Sequence, residues 1–216
     1  MRQQPERLSS FVLKLVLALV LAFVAWAYVE PFLMTGLFAL SQALWPTMFF
    51  DSPGAHLSLQ AEAWRLHTGW PLLTASGQPT RAALAMIELR TIRRTLGGFP
   101  LLAALLAVSS ARRPGRIAIG ASLLFAAAWL STTAIAWHTL VIMRGTEVSF
   151  IDASDVPPPF RLAMAAAPHW QYYLSGYLKY LAVLTIPFVA PVLLWAALCR
   201  REVMGLLQTV RRKRNR

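Results

Sequence analysis

Long apolar runs separated by short charged ones set the plan of this chain. Four runs dominate: residues 11–29 (FVLKLVLALVLAFVAWAYV), 97–111 (GGFPLLAALLAVSSA), 117–143 (IAIGASLLFAAAWLSTTAIAWHTLVIM) and 177–199 (YLKYLAVLTIPFVAPVLLWAALC). A bilayer core about 30 Å thick needs roughly 20 helical residues. The first, third and fourth runs reach that length. The second is short and is expected either to recruit residues before Gly97 or to sit in locally thinned bilayer. A fifth apolar run, residues 32–50, follows Pro31 at once. It carries Thr35, Ser41 and Gln42, contains Pro46, and no charged hairpin separates it from the first run. It reads as a helix on the outer interface or as a bent extension of the first span.

The pattern changes between residues 51 and 96. HLSLQAEAWRLH alternates apolar and polar from Leu57 to Ala63, the signature of a strand with one buried face. GWPLLTASGQPT supplies Gly69, Pro71, Gly77 and Pro79 and reads as a turn-rich connection. In RAALAMIELRTIRR two readings stay open. Its Ala, Leu, Met and Glu favour a helix capped by Thr80, whereas its position after a strand and a turn favours the return strand of a hairpin. A piece this small has no independent core and should rest on the membrane or on a partner. Arg90, Arg93 and Arg94 close it at the mouth of the second run. They serve as phosphate anchors for a short span or as a docking patch for an acidic segment or an anionic lipid. Between the third and fourth runs, residues 144–176 carry Glu147, Asp152, Asp155 and the stiff triplet Pro157-Pro158-Pro159. Trp170, Tyr172, Tyr173 and Tyr177 follow, as an interfacial aromatic belt does.

Composition fits this plan. Of the 216 residues, 57% are hydrophobic and 14% charged, against about 25% charged in soluble domains. The net charge of +12 raises the question of nucleic acid, which the distribution answers. With the N-terminus inside and four spans, residues 1–14, 109–116 and 200–216 face the cytoplasm. They hold thirteen of the 21 Lys and Arg and two of the nine acids, leaving eight basic and seven acidic residues for the remainder. Cytoplasmic loops are enriched in Lys and Arg. Arg112, Arg113 and Arg116 in the turn ARRPGR, bent at Pro114-Gly115, and Arg211, Arg212, Lys213 and Arg214 in the tail therefore determine the topology. Were residues 32–50 a further span, ARRPGR would move outside. The tail VRRKRNR reads as an anchor on anionic headgroups, so the expected partner is the lipid bilayer and not nucleic acid. The segment 1–27 has both the features of an uncleaved anchor and a small-x-small Ala25-Trp26-Ala27 pattern of a cleaved signal.

Chemistry is sparse. His138 lies near the outer end of the third span and Cys199 at the inner end of the fourth, about 30 Å apart across the bilayer, too far for a Cys–His pair. His56, His67 and His169 are scattered and match no metal-ligand spacing. One cysteine allows no intrachain disulfide. No Walker-type loop or GxSxG is present, and nothing calls for a cofactor. Lys14 and Lys179 lie near span ends, where they can snorkel, and spans otherwise almost free of charge do not resemble a transport path. The fold expected is an all-α membrane protein of four transmembrane helices with a small extracytoplasmic subdomain, the hairpin reading of that subdomain remaining open. In boundaries this gives 1–50, 51–96, 97–199 and a basic tail at 200–216.

The order of pieces carries a resemblance. LGGFPLLAALLAVSSARRPGR places Gly98, Pro100, Leu101 and Leu102 before a basic turn. YYLSGYLKYLAVLTIPFVAPVLLWAALCRRE places Tyr173, Gly176, Tyr177, Pro187, Pro191, Leu194 and Trp195 ahead of a basic end. In these places the chain resembles the exosortase H-associated membrane proteins of Gram-negative bacteria. It departs from them at RTIRRTLGG, where the family has an Asn-Pro and a tyrosine-rich entrance. The charge distribution gives the expected setting, an inner-membrane, multi-pass protein with both termini cytoplasmic. The resemblance implies a pathway, not a reaction: exosortases are membrane cysteine transpeptidases that process envelope proteins with C-terminal sorting tails. The enzyme itself needs Cys, Arg and His near the outer face, so the implied role here is that of the non-catalytic companion, in contact with an exosortase-like enzyme or its substrates.

Overall fold

A computed structural model describes residues 8–50, 54–60, 62–73, 77–109, 114–144, 161–162, 167–200, 203–205 and 208. Its elements, in order, are α1 (Leu8–Phe49), β1 (His56–Gln60), β2 (Ala63–Leu73), β3 (Pro79–Glu88), α2 (Leu89–Thr95), α3 (Gly98–Val108), α4 (Pro114–Met143), β4 (Arg161–Leu162), α5 (His169–Tyr180), a π-helical turn (Leu181–Thr185) and α6 (Ile186–Leu198). Four helical stretches are long and apolar enough to cross a membrane: Ser10–Phe49, Leu89–Val108, Pro114–Met143 and His169–Leu198. The chain is a mostly helical, multi-pass membrane protein with a small sheet. The sheet takes it beyond the all-α class, because four strands, the last only two residues long, and not a lone hairpin form it.

The first span and the fifth apolar run are one helix. Pro31 and Pro46 withhold their N–H from the carbonyls of Ala27 and Gln42, yet α1 continues through both. Its 42 residues extend about 63 Å at 1.5 Å each, about twice the thickness of a hydrocarbon core. The extension reading therefore holds and the separate interfacial helix does not. The short second span does recruit what precedes it: α2, the turn Leu96-Gly97 and α3 together make 20 residues. Pro114 and Gly115 do not make the bend before α4. They form its first turn, where a missing N–H costs nothing, and Arg116 follows half-buried. Arg112 and Arg113 lie outside the described residues, as do the tail cations Arg211, Arg212, Lys213 and Arg214 and most of the Pro-rich segment, residues 145–160 and 163–166.

The strand expected across Leu57–Ala63 is two strands with a turn at Glu62, and the supposed connection at Gly69–Leu73 belongs to β2. The sheet is antiparallel, ordered β1-β2-β3, with the two-residue β4 beside Leu72 and Leu73. Residues 79–88 take the strand reading and 89–95 the helical one. β2 bulges between His67 and Pro71, where Gly69 adopts φ 69°, a region glycine enters without penalty. Thr68, fully buried, repairs the broken ladder: its hydroxyl donates to the Ala83 carbonyl at 2.7 Å and accepts from the Trp70 N–H at 3.2 Å.

The chain divides into two compact units. One comprises residues 1–33, 96–128 and 185–216. Its core is Leu102, Leu105, Leu106, Leu124, Trp195 and Cys199, with Phe11, Leu15 and Phe99 against it. The Trp195 indole N–H donates to Ser109 Oγ at 2.7 Å, and Ser109 in turn donates to the Leu105 carbonyl at 2.8 Å. The other unit comprises 34–95 and 129–184. There Leu37, Ser41 and Trp45 form a buried stripe on α1 at a four-residue spacing. Trp64 of β2 packs against Phe38 and Trp45 at ring separations of 5.3 and 5.7 Å. The Trp45 N–H reaches Thr133 Oγ1 on α4 at 3.0 Å, and Gln42 donates to the Leu57 carbonyl at 3.3 Å. The sheet thus rests on the C-terminal half of α1.

Candidate functional site

The surfaces that α2, α5 and the sheet present in this second unit hold the residues singled out from sequence. Arg90, Arg93 and Arg94 all lie exposed on α2. Spaced i, i+3, i+4, they share one face, while Ile92 and Thr95 turn inward. Thr95 donates to the Ile92 carbonyl at 2.7 Å and meets Thr132 Oγ1 of α4 at 3.2 Å, so a buried hydroxyl pair holds the basic helix to the unit.

Trp170, Tyr173 and Tyr177 lie exposed on α5, which begins at His169, ahead of the expected span. Tyr180, exposed as well, extends the file. The spacing 170, 173, 177, 180 places all four on one helical face, and that spacing is readable in the sequence. Tyr172 turns instead toward His138, with ring centroids 6.3 Å apart. The Ser175 hydroxyl donates to the Tyr172 carbonyl at 3.1 Å and so accepts from His138 Nδ1–H at 3.0 Å. Gly176 lies beside this imidazole, and a Cβ there would stand 3.6 Å from its Cε1, an ordinary van der Waals contact. His138 is therefore a tie between α4 and α5.

One arrangement escapes linear spacing. His56 and His67 are register partners on β1 and β2, their rings stacked 4.1 Å apart and 10° from parallel. The His67 Nε2 meets Ser58 Oγ at 3.0 Å, and His56 donates through Nδ1 to the Gly54 carbonyl at 2.8 Å. Burial, then the neighbouring charges of His56 and Arg65, lowers the His67 pKa. Eleven positions separate the two histidines, so strand pairing alone could join them. His169 stands apart on α5. Among the described residues no three His, Cys, Asp or Glu side chains converge as a metal site would require.

Cys199 belongs to the apolar core of the first unit and is buried beside Trp195.

Fold and surfaces together define a mostly helical, multi-pass membrane protein with a small sheet. The chain belongs to the exosortase H-associated membrane protein family, whose sequence model matches residues 5–202. No curated protein and no solved structure matches it.

Proposed function

We propose that this protein is a non-catalytic accessory of exosortase-type processing, seated in the bacterial inner membrane with both termini in the cytoplasm. In this reading the sheet and α2, within residues 51–96, and the Pro-rich segment lie outside the cytoplasm and contact the exosortase or its tailed substrates. Arg90, Arg93, Arg94, Trp170, Tyr173 and Tyr177 form the docking surface toward partner or lipid. The family association supports the pathway, and the thirteen-to-two excess of basic over acidic residues in 1–14, 109–116 and 200–216 supports the orientation.

The observation that carries the non-catalytic reading is the placement of the two reactive side chains. Cys199 is sealed in an apolar core and His138 is committed to Ser175. An accessory function survives the loss of both groups, whereas an enzyme built on either does not. Cells carrying Cys199→Ser together with His138→Ala should still process tailed substrates. Affinity purification of the full chain from native membranes should recover an exosortase or a tailed substrate. Recovery of neither removes the assignment.

A further inference from the structure

Among the described residues β3 pairs with β2 alone, and the direction of its remaining backbone groups follows from two bonds. Thr68 of β2 donates to the Ala83 carbonyl, and the Leu89 N–H donates back to the Glu62 carbonyl at 2.9 Å. Both mark odd-numbered residues as facing β2. Backbone groups alternate sides along a strand, so Ala83, Ala85 and Ile87 bond inward while Ala82, Leu84, Met86 and Glu88 present N–H and C=O to the free edge. Natural sheets blunt such edges with charges, prolines or bulges. In β3 these devices gather at the two ends: Pro79 and Arg81 at its start, where the register against Pro71–Leu73 leaves the extra residue on β3, and Glu88 at its end, while residues 82–87 between them carry no charge, proline or bulge.

The chemistry at the end of the edge selects what fits it. β3 runs straight into α2, whose exposed Arg90, Arg93 and Arg94 gather three positive charges beside the single acid Glu88. A second copy of this chain pairing antiparallel along β3 would bring each arginine cluster to the Arg81 end of the other strand, setting like charges together. An extended segment with carboxylates at one end meets complementary charge instead.

We propose that the free edge of β3 accepts an extended, acidic-ended segment of a partner polypeptide as an added strand, with Arg90, Arg93 and Arg94 receiving its carboxylates. Such strand addition draws affinity from main-chain hydrogen bonds and orientation from the charged end. In the antiparallel sense the acidic residues lie at the N-terminal end of the added strand. The inference rests on the docking role proposed above and names its route and chemistry.

The test uses the full chain in nanodiscs of zwitterionic lipid. The probe is a labelled synthetic peptide of N-terminal aspartates followed by alternating valine and threonine, with binding read by fluorescence anisotropy. N-methylation of alternate amides on the peptide's pairing side removes hydrogen bonds without touching the protein, and affinity should fall about tenfold. Met86→Pro should do the same, because the Met86 N–H points away from β2 and its loss spares the existing ladder. Converting Arg90, Arg93 and Arg94 together to Gln should weaken binding and flatten its salt dependence. Equal binding of the methylated peptide would reduce the contact to bare charge attraction and overturn the proposal. So would no binding at all. So would arginines that act only when phosphatidylglycerol is added, which makes them lipid anchors. An exosortase captured from membranes by a protein that ignores this peptide keeps the accessory role and removes the β3 edge as its route.

Discussion

Gly98 stands where α3 crosses the proline-bearing helix. A Cβ at this position would lie 2.8 Å from the Pro187 carbonyl oxygen and 2.8 Å from the Pro191 ring. Pro191 has no N–H to give that carbonyl, and the absence of a side chain at Gly98 lets α3 approach the bare backbone. Gly98→Ala should lower the melting temperature in detergent, at a cost of about 1–3 kcal/mol, as overpacking does. An unchanged midpoint would mean that α3 and α6 separate there freely. The bond from Trp195 to Ser109 makes a second test. In a double-mutant cycle, Trp195→Phe and Ser109→Ala should couple by about 0.6 kcal/mol, the average for bonds between membrane helices. At His67 the depressed pKa has a sign. The unfolded chain takes up this proton near the ordinary value of 6.5 while the folded sheet resists it, so the stability present above 6.5 is lost as pH falls. Denaturant midpoints followed by Trp fluorescence should drop from about pH 7.5 to about pH 5.5, and His67→Gln should flatten that fall. An equal slope in both proteins would place the proton elsewhere.

The elements show where a one-dimensional reading reaches its limit. Residues 82–87 read AALAMI, all apolar and mostly helix-forming by propensity, so no alternation is visible in them. Ala83, Ala85 and Ile87 are nonetheless buried while Ala82 and Met86 are exposed. Pairing with β2 overrode propensity, as it often does for strands. Helical character resumes at Leu89, where the ladder ends and Arg90 opens the basic face. The π-helical turn before Pro187 has a local cause: the proline ring crowds the carbonyl four residues back, and a wider turn relieves it. Trp64 is the element-scale anchor, since it fills the space between the sheet and α1. Trp64→Ala should cost about 3–5 kcal/mol and expose 62–88 to limited proteolysis. Resistance equal to that of the parent would show that α1 is not what holds the sheet.

At the scale of the whole molecule, charge placement supports the proposed orientation and family membership supports the proposed pathway. A reporter enzyme active only outside the cytoplasm should be silent when fused after Pro114 and active when fused after Gly77. Activity after Pro114 would invert every loop and sink the proposed docking surface with it. The sequence by itself determined the number of membrane-length segments, the clustering of arginine and lysine in 1–14, 109–116 and 200–216, the family, and the poverty of reactive groups, because hydrophobic length and charge are read locally. Tertiary structure decided the rest: that residues 32–50 prolong α1, that His56 meets His67, that His138 bonds Ser175, and that β3 pairs with β2 alone among the described residues. Each depends on which residues distant in the chain become neighbours, and no property of a residue in its own window encodes that.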